Sequence, residues 1–321
     1  MRATLFRVGK DLRMPTPPPE DEVLSWFDEL SNWGRWGPDD ELGTLNLITP
    51  EVRKRAVATV TEGTTVSCSW EVATGPLGFE GAVSAVDLSR DSKARIGWSL
   101  EHITGLTFHG YALTHLDALC HIFWDGHMYN GRPTSLVSEA TGAEELAITD
   151  AGGGIVTRGV LLDVARVRGV PWLEPGEGAY PEDLDAAEAM QGVNVEPGDG
   201  VLLRTGYGRW RHETRRVSPM EEGITQPGWQ AACLPWLRER GVSFIGADTA
   251  NDVSPSGYSA IALPVHVIGL VAMGLWLVDN WDLEELAATC ERLSRWEFLL
   301  TVNPLRLSGL TGSAVNPIAT F

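Results

Sequence analysis

The sequence predicts a mixed α/β fold, on three observations. Two short runs, at 159–164 and 199–204, each carry a Gly-Val-Leu-Leu segment with no polar alternation, the pattern of strands buried on both faces of a sheet. Stretches with helical start signals lie between and around them, so helices and strands alternate loosely along the chain. The composition, 43% hydrophobic and 21% charged over 321 residues, is that of a folded chain with enough apolar side chains to build a sizeable core.

Taken in order, residues 1–24 form an extended lead-in: Pro15, Pro17, Pro18 and Pro19 favour polyproline geometry, and regular structure is expected after the acidic Glu20-Asp21-Glu22. Thr49 as N-cap and Pro50 at the first helical position start a helix running to about Val60. Strands are expected at 65–70, 105–113, 159–164, 199–204 and 242–245, and helices at 181–191, 228–240 and 266–273. The glycine run Gly152-Gly153-Gly154 precedes a strand, so it is a loop and not a phosphate cradle. Segments 80–100 and 205–225, rich in Ser, Asp, Arg and Glu, read as surface loops. With no Pro/Ser/Gly linker and no internal repeat, residues 25–321 are one domain.

Charge and cysteine usage exclude several classes. The chain has 43 acidic and 25 basic side chains, a formal net charge of -18, and no dense Lys/Arg run. Nucleic acid and anionic membranes both need a basic footprint, so neither is an expected partner. The N-terminus lacks the apolar region of a signal peptide, and the longest apolar run, 261–278, is broken by Pro264 and His266. The four cysteines (Cys68, Cys120, Cys233, Cys290) are widely separated, which suits a reducing cytoplasm. Thirteen tryptophans, among them Trp26, Trp33 and Trp36 near the start, are expected mostly in core or subunit contacts, a minority lining a pocket for a planar substrate. No Gly-x-Ser-x-Gly elbow and no Gly-x-Gly-x-x-Gly turn is present, which argues against a serine hydrolase and a dinucleotide enzyme.

The chemistry concentrates elsewhere. Of seven histidines, His109, His115, His121 and His127 fall in one 19-residue window together with Asp117 and Asp125. On a persisting strand, His115, Asp117 and His121 would point to one side. Core histidines bonded to backbone are the plain alternative, but polar groups set among Ala118, Leu119 and Cys120 need a reason to be buried. Imidazole plus carboxylate is a natural ligand set for zinc or manganese, and a further histidine can shuttle protons.

At these residues the chain resembles the cyclase family of metal-dependent hydrolases, which includes kynurenine formamidases, isatin hydrolases and a dienelactone hydrolase. The family pattern His-x-Gly-Thr-His-x-Asp-x-Pro-x-His is met by Thr114-His115-Leu116-Asp117 and His121, with Tyr111 in the first ligand position, Leu113 in place of Gly and Leu119-Cys120 in place of Pro-x. The resemblance extends to Asp125–Gly131, to Trp36-Gly37-Pro38-Asp39-Asp40, to the strand and turn ending in Gly246-Ala247-Asp248-Thr249, to His266 followed by Asp279, and to the closing segment 303–319.

What it implies is a swivelling β/β/α fold, a mixed sheet partly curled into a barrel with helices packed outside. It also implies a Zn²⁺ or Mn²⁺ held by His115 and Asp117, with Asp279 and Tyr111, His109 or water completing the shell; the plain alternative for Asp279 is a surface acid ahead of the helix that follows Asp282. His121 would serve as general base and acid, and His266 would orient substrate or stabilise the oxyanion. Trp36, His109 and Trp124 would contact substrate: a cyclic amide, a lactone or an N-formyl aryl amine with a planar body. The family assembles as homodimers or homotetramers. The rival readings are a metal-assisted cyclase or dehydratase of a polyketide-like chain, separable by product mass, and a catalytically impaired binding homologue, motivated by Tyr111 and by the short Asp279.

Overall fold

The structure, a computed structural model, describes residues 15–72, 74–75, 82–90, 97–214 and 225–321; the side chains of 74–105 lie outside the description. Among the described residues nine strands form the main sheet: β1 Thr65–Ser67, β2 His115–Asp117, β3 Ile155–Asp163, β4 Gly200–Arg204, β5 Phe244–Ala247, β6 Trp276–Asp279, β7 Glu297–Val302, β8 Gly312–Ala314 and β9 Ile318–Thr320. Their order across the sheet is β1-β9-β7-β3-β4-β5-β6-β2-β8. The sheet is mixed, curls into a half-barrel and carries helices on its outside, as the resemblance implies.

The centre, β3 through β6, is parallel. Its strands are buried at nearly every position, which is why their sequences show no alternation. By contrast β7, antiparallel to β3, alternates between buried and half-buried residues. Aromatic rings fill the space that glycines leave open: a β-carbon on Gly200 would lie 2.3 Å from the Phe244 ring, so the pairing of β4 with β5 requires glycine there. Trp229, Trp276, Trp281, Phe298 and Phe321 are fully enclosed in the same core.

Local signals in the sequence set several elements. Thr49 caps the Pro50–Val57 helix by accepting from the Val52 N–H at 3.3 Å. The Pro181–Gln191 helix starts at a proline and stops at Gly192, which adopts φ 67°.

Other expectations need correction. The first helix spans Glu20–Glu29 and so begins inside the expected lead-in; Glu20, Asp21 and Glu22 lie at the positive end of its dipole, and Val23 and Trp26, three apart, bury one face. The strand expected at 105–113 lies earlier, at Gly97–Leu106, and 107–114 is a loop. Much of the loop expected at 80–100 is an antiparallel hairpin of Ala82–Arg90 with Gly97–Leu106. The part of it at 80–81 and 91–96 lies outside the described residues, as does 215–224 of the second expected loop. The remainder of that second loop contains the Tyr207–Thr214 helix. In the segment 228–240 only Cys233–Arg240 is helical, because Gly228 and Trp229 pair with Gly178 and Ala179. The segment from Pro264 enters as one α-helical turn and continues as a π-helix over Val267–Met273. No described helix is long and apolar enough to cross a membrane.

Candidate metal centre

The candidate site is assembled on β2, which lies between β6 and β8 and is antiparallel to both. Register places Asp279 of β6 directly opposite His115, and Asp117, two residues on, shares their face. His115 Nε2 lies 3.5 Å from Asp117 Oδ1 and 3.8 Å from Asp279 Oδ2. The strand ends at Asp117, so His121 does not reach the site along it. A turn, with the His121 N–H donating to Ala118 O at 2.9 Å, brings His121 Nε2 to 4.0 Å from Asp117 Oδ1.

The loop at 107–114 supplies His109, whose Nδ1 is 3.0 Å from Asp117 Oδ1 and whose Nε2 is 3.0 Å from Thr311 Oγ1. Its ring stacks on His121, with centroids 3.9 Å apart and planes at 4°. It also meets His115 edge-on at 5.2 Å.

His266 closes the other side. Its Nε2 is 3.5 Å from Asp117 Oδ2 and 3.4 Å from Asp279 Oδ2. Asp252 fixes it: the carboxylate accepts from the Val265 and His266 N–H groups at 2.8 and 3.0 Å, capping the start of the helix, and faces His266 Nδ1 at 2.6 Å. That bond puts a proton on Nδ1 and turns Nε2 towards the two carboxylates. The π-helix that follows is a form that clusters at functional sites, and it starts at the residue after His266.

Asparagines support the remaining groups. Asn251 donates to Asp279 Oδ1 at 2.5 Å, and Asn280 donates to Gly110 O and Leu113 O, the second of which also faces His115 Nδ1 at 2.8 Å. Both asparagines sit at positive φ, 46° and 56°, a region asparagine tolerates better than most residues.

The electrostatics of the centre follow from burial and crowding. Asp117 is fully enclosed, which by itself would raise its carboxyl, but His121, His115, His109 and His266 together hold it well below the usual range. Burial opposes the charging of His266, and Asp279, Asp117 and Asp252 overcome it and push its pKa well up. Burial pushes His121 down to about 4 against the pull of Asp117, so its imidazole is neutral at pH 7. Burial raises the Tyr111 phenol, with the carboxylates of Asp279 and Asp252 adding to the rise and His266 opposing it.

Both oxygens of Asp117 and Nδ1 of His109 are buried with no aligned hydrogen-bond partner. Buried polar atoms left in this state carry a cost of a few kcal/mol each, and a cation removes it. The donors fit one. Two sets, His109/His115/Asp117 and Asp117/His266/Asp279, share Asp117, and within each set the donor atoms lie within 4.8 Å of one another. Imidazole nitrogen and carboxylate oxygen are ligands that suit zinc or manganese.

The residues singled out in the sequence therefore separate. His109, His115, Asp117, His121, His266 and Asp279 come together; Tyr111 stands beside them, half-buried, within the electrostatic reach of His266 and Asp279. Trp36 and Trp124 make their contacts elsewhere. Trp36 packs under the Arg35 guanidinium at 4.7 Å, and Trp124 stacks on Phe27 at 4.9 Å beside a groove lined by Trp33 and His127. The sequence reading missed Asp252, Asn251 and Thr311. Asp252 was readable only as one more acid four residues after Asp248, and Thr311 sat unremarked in the closing segment.

The comparisons agree with this architecture. The cyclase family model matches residues 51–251. A crystal structure described as a novel cyclase is 30% identical, covers 91% of this chain and 100% of its own, and superposes with a TM-score of 0.80. Isatin hydrolase A from Ralstonia solanacearum is 21% identical over 84% of this chain and 97% of its own, with a TM-score of 0.54. Isatin hydrolase A from Labrenzia aggregata, bound to benzyl benzoate, is 17% identical over 83% and 97%, with a TM-score of 0.53; at these identities the two hydrolases share the fold. No curated protein matches the chain. With the family model matching well over half of its length and the 30%-identical structure covered from end to end, the chain belongs to the cyclase family.

Proposed function

We propose that the protein is a metal-dependent hydrolase that opens a cyclic amide or lactone, or cleaves an N-formyl aryl amide, with water as the nucleophile. The observation that carries the proposal is Asp117: a fully buried carboxylate ringed by four imidazoles and Asp279, both of whose oxygens lack a hydrogen-bond partner. In this reading His115, Asp117 and Asp279 hold the ion, as the sequence motif implies. His266, 5% exposed and aimed at two carboxylates, belongs to the same ligand side and not to the substrate side. When bound there, Zn²⁺ or Mn²⁺ would polarise the scissile carbonyl and acidify water.

The chain's own residues supply the rest. His121 is neutral at pH 7 and part-exposed, so it can take a proton from the attacking water and return it to the leaving nitrogen or oxygen. Phe108, part-exposed and 4.7 Å from the His109 ring, offers a flat apolar wall beside the stacked pair of imidazoles, which suits a planar substrate body. His115, Asp117, His266 and Asp279 are buried behind that rim, which keeps bulk water from the ligand side.

The deciding experiment strips the metal with a chelator and restores it with Mn²⁺ or Zn²⁺, while cyclic imides, lactones and formyl anilides are screened as substrates. Hydrolysis, a product heavier by one water, should vanish on stripping and return on reconstitution. Full activity in the stripped protein would sink the mechanism, and a product of unchanged mass would move the reaction to cyclisation.

A further inference from the structure

We infer that His109, positioned by Thr311 and given room by Gly312, supplies the metal-binding nitrogen that the sequence motif lacks at Tyr111; the inference rests on the metal-dependent reading above.

The geometry is specific. His109 Nε2 meets Thr311 Oγ1 at 3.0 Å, and a hydroxyl can accept from a protonated Nε2 or donate to a bare one. With Nε2 as the donor, Nδ1 carries the lone pair, and Nδ1 is the atom found buried, with no aligned hydrogen-bond partner, 3.0 Å from Asp117 Oδ1. A lone pair facing a carboxylate oxygen is repulsive in a buried site unless a cation lies within reach of both. His115 Nε2, 3.5 Å from the same oxygen, completes one of the two three-donor sets.

The ring cannot easily be anywhere else. It is stacked on His121, edge-on to His115 and tilted against Phe108. A β-carbon on residue 312 would stand 2.7 Å from His109 Cε1 and 2.8 Å from Leu116 O, so glycine at this point of β8 is what lets the imidazole lie against the strand. Gly312 pairs with Asp117 in the sheet, and Thr311 O accepts the Ala118 N–H at 2.9 Å. The same short segment thus locates both Asp117 and the hydroxyl that orients His109. An imidazole offers its lone pair at neutral pH, whereas a phenol binds a cation well only after losing its proton, so the substitution of Tyr111 in the motif is compensated from two residues upstream.

The test uses the full chain, freed of metal and titrated with Zn²⁺ and with Mn²⁺ by calorimetry, together with the visible absorption spectrum of the Co²⁺-loaded protein. His109→Ala should weaken binding at least 100-fold and alter the Co²⁺ spectrum. Thr311→Val, which keeps the shape and loses the acceptor, should weaken binding about 10-fold or more, as losses of groups that orient ligands do. Gly312→Ala should weaken it as well, and Tyr111→Phe should leave affinity and spectrum as in the wild type. Metal-free melting temperatures identify any variant whose loss is one of folding, in which case Thr311→Val, the mildest change, decides. Wild-type affinity with an unchanged Co²⁺ spectrum in His109→Ala, or a large loss in Tyr111→Phe, overturns the inference and leaves the metal-dependent reading standing. A wild-type chain that binds neither ion overturns both.

Discussion

Asp252 grips His266 twice, through its backbone N–H at 3.0 Å and its ring Nδ1 at 2.6 Å, while also accepting the Val265 N–H at 2.8 Å. One carboxylate therefore starts a helix and orients a buried imidazole. Asp252→Asn keeps the shape but offers one acceptor oxygen where three donors need two. Affinity for Zn²⁺ or Mn²⁺ should fall about 10- to 100-fold, measured by titration of the metal-free protein. An unchanged affinity would show that the orientation of His266 does not matter to the centre.

His121 is part-exposed, as is His109, and of the four imidazoles it lies farthest from Asp117, at 4.0 Å. His121→Ala should keep the bound metal and lose turnover by about 10²- to 10⁴-fold, the usual contribution of a proton-transfer group. Metal content by elemental analysis and kcat on the substrate found by screening check the two halves separately. Turnover retained with metal in place would move the base to another residue.

Arg204 anchors the far end of β4. It donates to Asp163 at 2.9 Å and, through two nitrogens, to Glu284 at 3.0 and 2.8 Å, while Asp163, 2% exposed, also caps the Val164–Val167 turn through the Arg166 N–H. Arg204→Ala strips buried Asp163 of the cation bonded to it, leaving the Arg166 charge within reach, and should destabilise the fold by about 3–5 kcal/mol in urea denaturation. Adding Asp163→Asn should recover part of that loss. A single-variant cost below about 1 kcal/mol would mean that water reaches the pair.

Asp150 gives a pH dependence. Burial and the neighbouring carboxyl of Glu41 push it from its ordinary 3.8 up to about 7, and its Oδ2 is buried without a hydrogen-bond partner. The folded state therefore holds the proton more tightly than the unfolded chain. Stability from this group is greatest below pH 3.8, falls as pH rises towards about 7, and is level above that. Asp150→Asn stays neutral throughout, so it should flatten this part of the profile and be more stable than wild type at pH 8. The gain should be about 1–2 kcal/mol once solvent screening of a half-buried group is allowed for. Melting temperatures at pH 5 and pH 8 for both proteins test it; parallel shifts in the two would remove Asp150 as the cause.

The sequence by itself determined the features that depend on neighbours along the chain. The Gly-Val-Leu-Leu runs became β3 and β4 because strands buried on both faces have no polar positions to show, and the helix from Pro181 was legible in its proline start and glycine stop. The alternation of His115 and Asp117 put both on one face, and that much of the site followed from the period of a strand alone. What lay beyond depended on register and turns. His121 reaches Asp117 through a turn, His109 through a loop read as strand, and Asp279 by lying opposite His115 across β2 and β6, two strands separated by more than 150 residues of chain. Asp252 and Thr311 carry no local mark of their task. Which imidazole nitrogen faces Asp117 is fixed by the hydrogen bond at the other end of the ring, and only the tertiary structure brings that partner into contact.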